Sequence, residues 1–167
     1  MPKLSKHGEL LADSWQVLPK DATPTLGELD RGEWLVHVKW YRENQQALAG
    51  MGNVSIWLDS DDNAGDVADL ATSLPVIGVN FPVFTDGRGF SIGRTIRERY
   101  QFRGELRAIG NFMQDQLFYL KRCGFDAFVV AEDAAVESMA KSLSDFSDFY
   151  QAAVDQPIPL FRRRATQ

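Results

Sequence analysis

Between Glu33 and Tyr150, compact apolar runs take turns with segments whose apolar residues recur at helical spacing. No other feature restricts the chain as much. The strand runs are Trp34 to Val38, Val54 to Leu58, Pro75 to Phe84, Glu105 to Ile109 and Phe125 to Ala131. The helical segments are Trp40 to Ala49, Asp66 to Ser73, and Ser91 to Tyr100 with Ile92, Ile96 and Tyr100 on one stripe. Another runs from Phe112 to Leu120, with Asn111 as N-cap and Gly124 as the stop, and a last one carries Val136, Met139, Leu143, Phe146 and Tyr150. Five consecutive strand-helix units predict an α/β fold with a mainly parallel sheet, because each helix returns the chain to the same end. A partial β/α-barrel form is favoured, a flavodoxin-like doubly wound open sheet is the alternative, and strand order separates the two.

The 167 residues, 44% of them apolar and 25% charged, fit one domain over residues 1–156. Within it, 1–32 reads as an N-terminal hairpin and loop, with Leu4 before the His7-Gly8 pair and Trp15, Val17 and Leu18 after it. Residues 157–167 read as a tail, where two prolines forbid helix and three consecutive arginines are solvated; a docking peptide is the alternative. A net charge of −5 argues against broad adhesion to nucleic acid or anionic membrane. No stretch approaches the roughly 20 apolar residues of a membrane span. One cysteine excludes an intrachain disulfide, and Met1 to Gly8 lack the apolar core of a signal peptide, so the cytoplasm is the expected compartment.

The chemistry-bearing residues are densest between Phe84 and Gly110. Asp86-Gly87-Arg88-Gly89 follows a strand and opens a helix, a position where α/β folds put their sites and where backbone N–H groups face an anion. The competing reading is a tight turn in which Asp86 caps the helix and Arg88 is solvated. Arginines 88, 94, 97, 99, 103 and 107 could converge on sulfite, sulfate, phosphate or a carboxylate, or could be surface charge. Glu105 and Arg107 alternate with Leu106 and Ala108 on a strand covered on both sides, so they must be satisfied, by each other or by Asp86 or Asp126, or else line a polar pocket. Asp115 suits the positive end of its helix, while Gln116 falls on the inward stripe and needs a partner such as Glu105 or a ligand. Asp86, Glu105, Arg107 and Asp115 are therefore the catalytic candidates. Asp86, Gly87, Arg88, Gly89, Arg97, Arg107, Gln116, Arg122 and Asp126 are the ligand-binding candidates.

Cys123, at a helix end beside Arg122, reads as an ordinary buried cysteine. His7 and His37 lie far apart, no metal-ligand spacing occurs, and the run Asp59, Asp61, Asp62, Asp66 reads as a solvated loop and cap rather than a magnesium site. No cofactor motif is present, and the cofactor is left unknown.

Five stretches carry a family resemblance: WQVLPKDA at 15–22, SIWLD at 55–59, VNFPVFTDGRGFS at 79–91, RERYQFRGELRAIG at 97–110 and DQLFYLKRCGFDAF at 115–128. Through them the chain resembles the bacterial domain-of-unknown-function 934 family, described as probable oxidoreductases involved in sulfite reduction. The resemblance implies a companion of siroheme sulfite reductase in assimilatory sulfur metabolism, and it leads one to expect alanine where this chain has Gly93. It assigns no catalytic residue. Three functions follow as expectations: an accessory partner of sulfite reductase, a small-oxyanion enzyme or carrier with an Asp/Arg/Glu site, and a flavin- or nicotinamide-dependent reductase.

Overall fold

In the computed structural model, which describes residues 3–6, 9–130, 141–143 and 150–164, the apolar runs become strands of one sheet. The strands are β1 (Lys3–Lys6), β2 (Glu9–Ala12), β3 (Trp15–Val17), β4 (Glu33–His37), β5 (Val54–Leu58), β6 (Val76–Phe81), β7 (Glu105–Gly110) and β8 (Ala127–Val130). Their spatial order is β2-β1-β8-β7-β6-β5-β4-β3. Pairing is parallel from β3 through β8 and antiparallel where β1 meets β8 and β2. Every residue of β5 is buried, as its unbroken apolar run requires of a strand covered on both faces.

Five consecutive strand-helix units are not what forms. The fold is an eight-stranded mixed sheet, curled as a half-barrel, with few helices. Among the described residues, helices α1 (Leu26–Leu29), α2 (Val38–Asn44), α4 (Leu117–Arg122) and α5 (Leu160–Arg164) are short, and only α3 (Arg88–Glu98) reaches three turns. Where the helix over 66–73 was expected, Ala64–Val67 is a 3-10 turn. The Asn63 side chain accepts the Gly65 N–H at 2.8 Å, a local bond that competes with α-helix. Asn111 is not an N-cap: its backbone N–H and Nδ2 donate to the Phe81 and Pro82 carbonyls, and a 3-10 turn at Gln114–Gln116 precedes α4. The flavodoxin-like alternative fails as well, because strands β3 to β8 are neighbours in chain order and the winding never reverses.

The N-terminal hairpin exists with a different second arm. β2 pairs with β1, whereas Trp15–Val17 lies at the opposite edge beside β4. The tail also departs from expectation. Pro159 accepts from Arg162 and Arg163 and so opens α5 instead of forbidding it, a role proline fills at a helix start. The helical pattern through Val136, Met139 and Phe146 lies outside the described residues, as do His7 and Gly8.

Sequential winding puts the helices on one face. Ile77, Val79 and Leu106 pack there with Ile92, Ile96 and Leu120. Among the described residues the other face closes on strand residues alone, with Leu35, Trp57, Val76 and Ile109 meeting Trp15 and Val129. That closure has a covalent cause. β2 and β3 are the two edges of the sheet, yet only Asp13 and Ser14 join them. In a flat sheet those edges would stand about 34 Å apart, and three Cα steps span at most about 11 Å.

Gly93 faces the buried ring of Phe125, and a Cβ there would lie 2.4 Å from two ring carbons. The glycine thus lets a core aromatic seat against α3. Gly93→Ala is expected to destabilise by about 1–3 kcal/mol, although alanine is normally favoured over glycine in a helix by about 1 kcal/mol. Urea denaturation measures the difference, and the sign should reverse in a Phe125→Leu background.

Candidate functional site

Two polar assemblies occupy the hollow side of the sheet. The first lies inside. Alternation along β7 turns Glu105, Arg107 and Ile109 inward. Arg107 Nη1 donates to Asp13 Oδ1 at 2.7 Å, with both side chains at most 4% exposed. Its Nε donates to Glu105, whose other oxygen accepts from Lys6 Nζ at 2.7 Å. Asp13 Oδ1 also accepts the Trp15 N–H at 3.1 Å. Lys6, Glu105, Arg107 and Asp13 form a chain of alternating charge from β1, through β7, to the link between the sheet edges.

The second assembly crowns the carboxyl ends of β4, β5 and β6. Buried His37, the last residue of β4, packs edge-on to Trp57 and contacts Asp62 Oδ2 through Nε2 at 2.7 Å. Asp62 also accepts the Asp59 N–H at 2.7 Å and pairs with Lys39 at 3.0 Å. Asp59 receives Lys20 Nζ at 2.9 Å and Asn80 Nδ2 at 3.0 Å, and Lys20 also reaches Asp61 at 2.7 Å. Arg88 grips Asp86 and donates to Ser60 Oγ at 3.1 Å. Burial pushes the Asp59 and Asp62 carboxyls up, but the donors around them outweigh it and hold both below the usual range. Hydrogen bonds to these carboxylates raise the ammonium of Lys20 and that of Lys39, and Asp86 does the same for Arg88.

Between the two assemblies opens a cavity of about 500 Å³ with Asp13, Trp15, Asn80 and Gly110 on its lining. Gly110 is required there: φ is +91°, and a Cβ would sit 2.4 Å from Asn80 Oδ1 and 2.6 Å from the Phe81 carbonyl oxygen.

The sequence-selected residues separate into groups. Glu105 lies level with Val76 at the start of β6, about 17 Å along the sheet from the strand end that Asp86 follows, so the pairs Glu105–Arg107 and Asp86–Arg88 belong to opposite ends of that strand. Asp86 binds both the backbone and the guanidinium of Arg88, Gly87 is the N-cap of α3, and a Cβ on Gly89 would meet the Phe81 ring at 2.7 Å. Arg97 donates to the carbonyls of Gly124, Phe102 and Gly104 and pairs with Asp126 at 3.1 Å; Asp126 also accepts the Leu106 N–H. Gln116 donates to the Phe84 carbonyl, Asp115 is exposed, and Arg122 pairs with Asp155 at 3.1 Å. Burial pushes the Cys123 thiol up, against the bond from Tyr119 and the charges of Arg94 and Arg122.

Sequence reasoning missed Asp13, Lys20, His37 and Asn80 as site residues. For His37 and Asn80 a signal existed: each is a polar residue at or next to the carboxyl end of an apolar strand, EWLVH and VIGVNF. Among the described residues no cluster of His, Cys, Asp and Glu could hold a metal ion, and no helix is long and apolar enough to cross a membrane.

Fold and site together define an α/β half-barrel protein with a polar mouth at the carboxyl ends of its parallel strands. Residues 55–161 match the family described as Bacterial protein of unknown function (DUF934), and the chain belongs to that family. No curated protein and no solved structure matches it.

Arg107→Met would leave Asp13 and Glu105 with a buried charge short of its partner, and a loss of about 3–5 kcal/mol is expected by chemical denaturation. Adding Asp13→Leu should recover part of it. Acid provides a second check. Asp59, Asp62 and Glu105 have lowered folded values, Glu105 because Lys6 and Arg107 outweigh its burial, so their stabilisation is complete above the unfolded carboxylate value of about 4 and drains away as pH falls through the folded ones. Calorimetric melting temperatures should drop steeply below about pH 4, and Asp62→Asn should make that drop shallower.

Proposed function

We propose that this protein is a companion of siroheme sulfite reductase in assimilatory sulfur metabolism and that it binds a small oxyanion at the rim of the mouth. The carrying observation is a layering of charge at the ends of β4 to β6. The Lys39 and Arg88 side chains are each 62% exposed, whereas the Asp62 and Asp86 carboxylates that hold them are 0% and 10% exposed. Lys20 stands beside them over Asp59, with Ser60 between the groups. At Lys39 and Arg88 an arriving anion therefore meets the cationic heads first, fixed in position by the carboxylates beneath, whereas beside Lys20 the Asp61 carboxylate is itself exposed. The family resemblance supports the sulfur-pathway setting. Val83 and Phe84 are exposed, the Phe84 carbonyl accepts from Gln116 just before α4, and exposed Met113 and Tyr119 flank Gln116 in the chain, so this side offers apolar area for a protein partner.

Titration calorimetry at low ionic strength tests the anion site. Sulfite, and less tightly sulfate or phosphate, should give saturable heat that Lys20→Ala with Lys39→Ala cuts tenfold or more. Asp61→Asn, which removes an exposed carboxylate competing for Lys20, should tighten binding. Absence of heat with all three anions would remove the site. Affinity capture tests the companionship: sulfite reductase should copurify with the native chain and not with Phe84→Asp, and failure with the native chain would end that reading.

A further inference from the structure

We propose that the cavity beneath the rim is a second binding site, for a small molecule with a nitrogen donor head and a flat apolar body. The shape follows from its walls. Trp15, Val17, Ile109 and Val129 supply apolar surface, and a volume of about 500 Å³ suits a small organic ligand. The head chemistry follows from the polar end. Asp13 is almost fully enclosed, and its Oδ1 already takes the Arg107 and Trp15 donors, which leaves Oδ2 to the cavity. Asn80 commits its amide nitrogen to Asp59, so its Oδ1 faces the cavity beside the bare Cα of Gly110. Both groups are acceptors, and Gln16, also on the lining, alternates to the opposite face of β3, where its amide nitrogen lies beside Gly32. A carboxylate or sulfite entering here would meet oxygen with oxygen, whereas an amine, amidine or amide N–H would complete both. The exposed Lys39 and Arg88 heads above and the acceptor floor below thus select opposite chemistries, and this site stands whether or not the rim binds an anion.

Benzamidine and benzamide, with benzoate as the isosteric control, probe the site in the full-length protein. Calorimetry should give saturable binding of at least one nitrogen probe and none of benzoate, with saturating sulfite failing to displace the bound probe. Val17→Trp, which fills the cavity from the edge strand, should weaken binding tenfold or more, and Asn80→Ala should weaken it several-fold. Amide NMR shifts in the unmutated chain provide a reading independent of any variant's folding: the bound probe should move the signals of residues 13–17, Asn80, Gly110 and Val129. Binding of benzoate as tight as benzamidine, shifts elsewhere with these signals unmoved, or no binding of either nitrogen probe would overturn the proposal.

Discussion

Two residues must carry the chain from one edge of an eight-stranded sheet to the other, and most of the architecture answers to that constraint. The sheet cannot be flat while β2 and β3 are joined by Asp13 and Ser14. Once curled, it has an inside that no helix among the described residues covers, so strand side chains fill it. Asp13 sits in the short link and is also the residue that Arg107 reaches from β7. One residue therefore belongs to the link that imposes the curvature, ties the seam to the middle of the sheet and, with Glu105, pairs a buried guanidinium. An isolated ion at that depth would be costly, and the alternating chain from Lys6 to Asp13 is what makes it tolerable.

The same curvature explains why the interesting chemistry gathers at one end. Parallel strands wound in sequence bring their carboxyl ends to a common mouth, and the turns after β4, β5 and β6 then hang polar groups around it. The Asp59 to Asp62 turn contributes most of them. It folds Asp62 back onto the Asp59 N–H, which places that carboxylate against both His37 and Lys39. The acidic run is a scaffold that orients cations, not a loop of solvated charge.

How much of this was written in the sequence divides along the range of the interactions. Strands β4 to β8 were legible because burial on both faces demands unbroken apolar runs such as VSIWL. Helix lengths were not, because a single side-chain bond at Asn63 or Asn111 diverts the backbone where apolar periodicity continues. The places of the N-terminal strands escaped for another reason: β1 belongs beside β8 and Trp15–Val17 beside β4, and Lys6 meets Glu105 across 99 positions, pairings no local pattern encodes. In the site, the need of Glu105 and Arg107 for mutual satisfaction was readable from their alternation on β7. Their partner Asp13 was not, being one small acidic residue in an unpatterned link. The arginines between 88 and 107 looked convergent only because the sequence is a line; α3 and β7 direct Arg88, Arg97 and Arg107 to three different sets of acceptors.

Asn80 has one amide plane and two neighbourhoods. Its nitrogen belongs to the charged crown through Asp59, and its oxygen looks into the hollow below. The single orientation that gives its nitrogen to Asp59 also offers its oxygen to the hollow, so a donor settling there would find the amide already held in place by the crown. A single planar side chain is thus the partition that two compartments of the same mouth share.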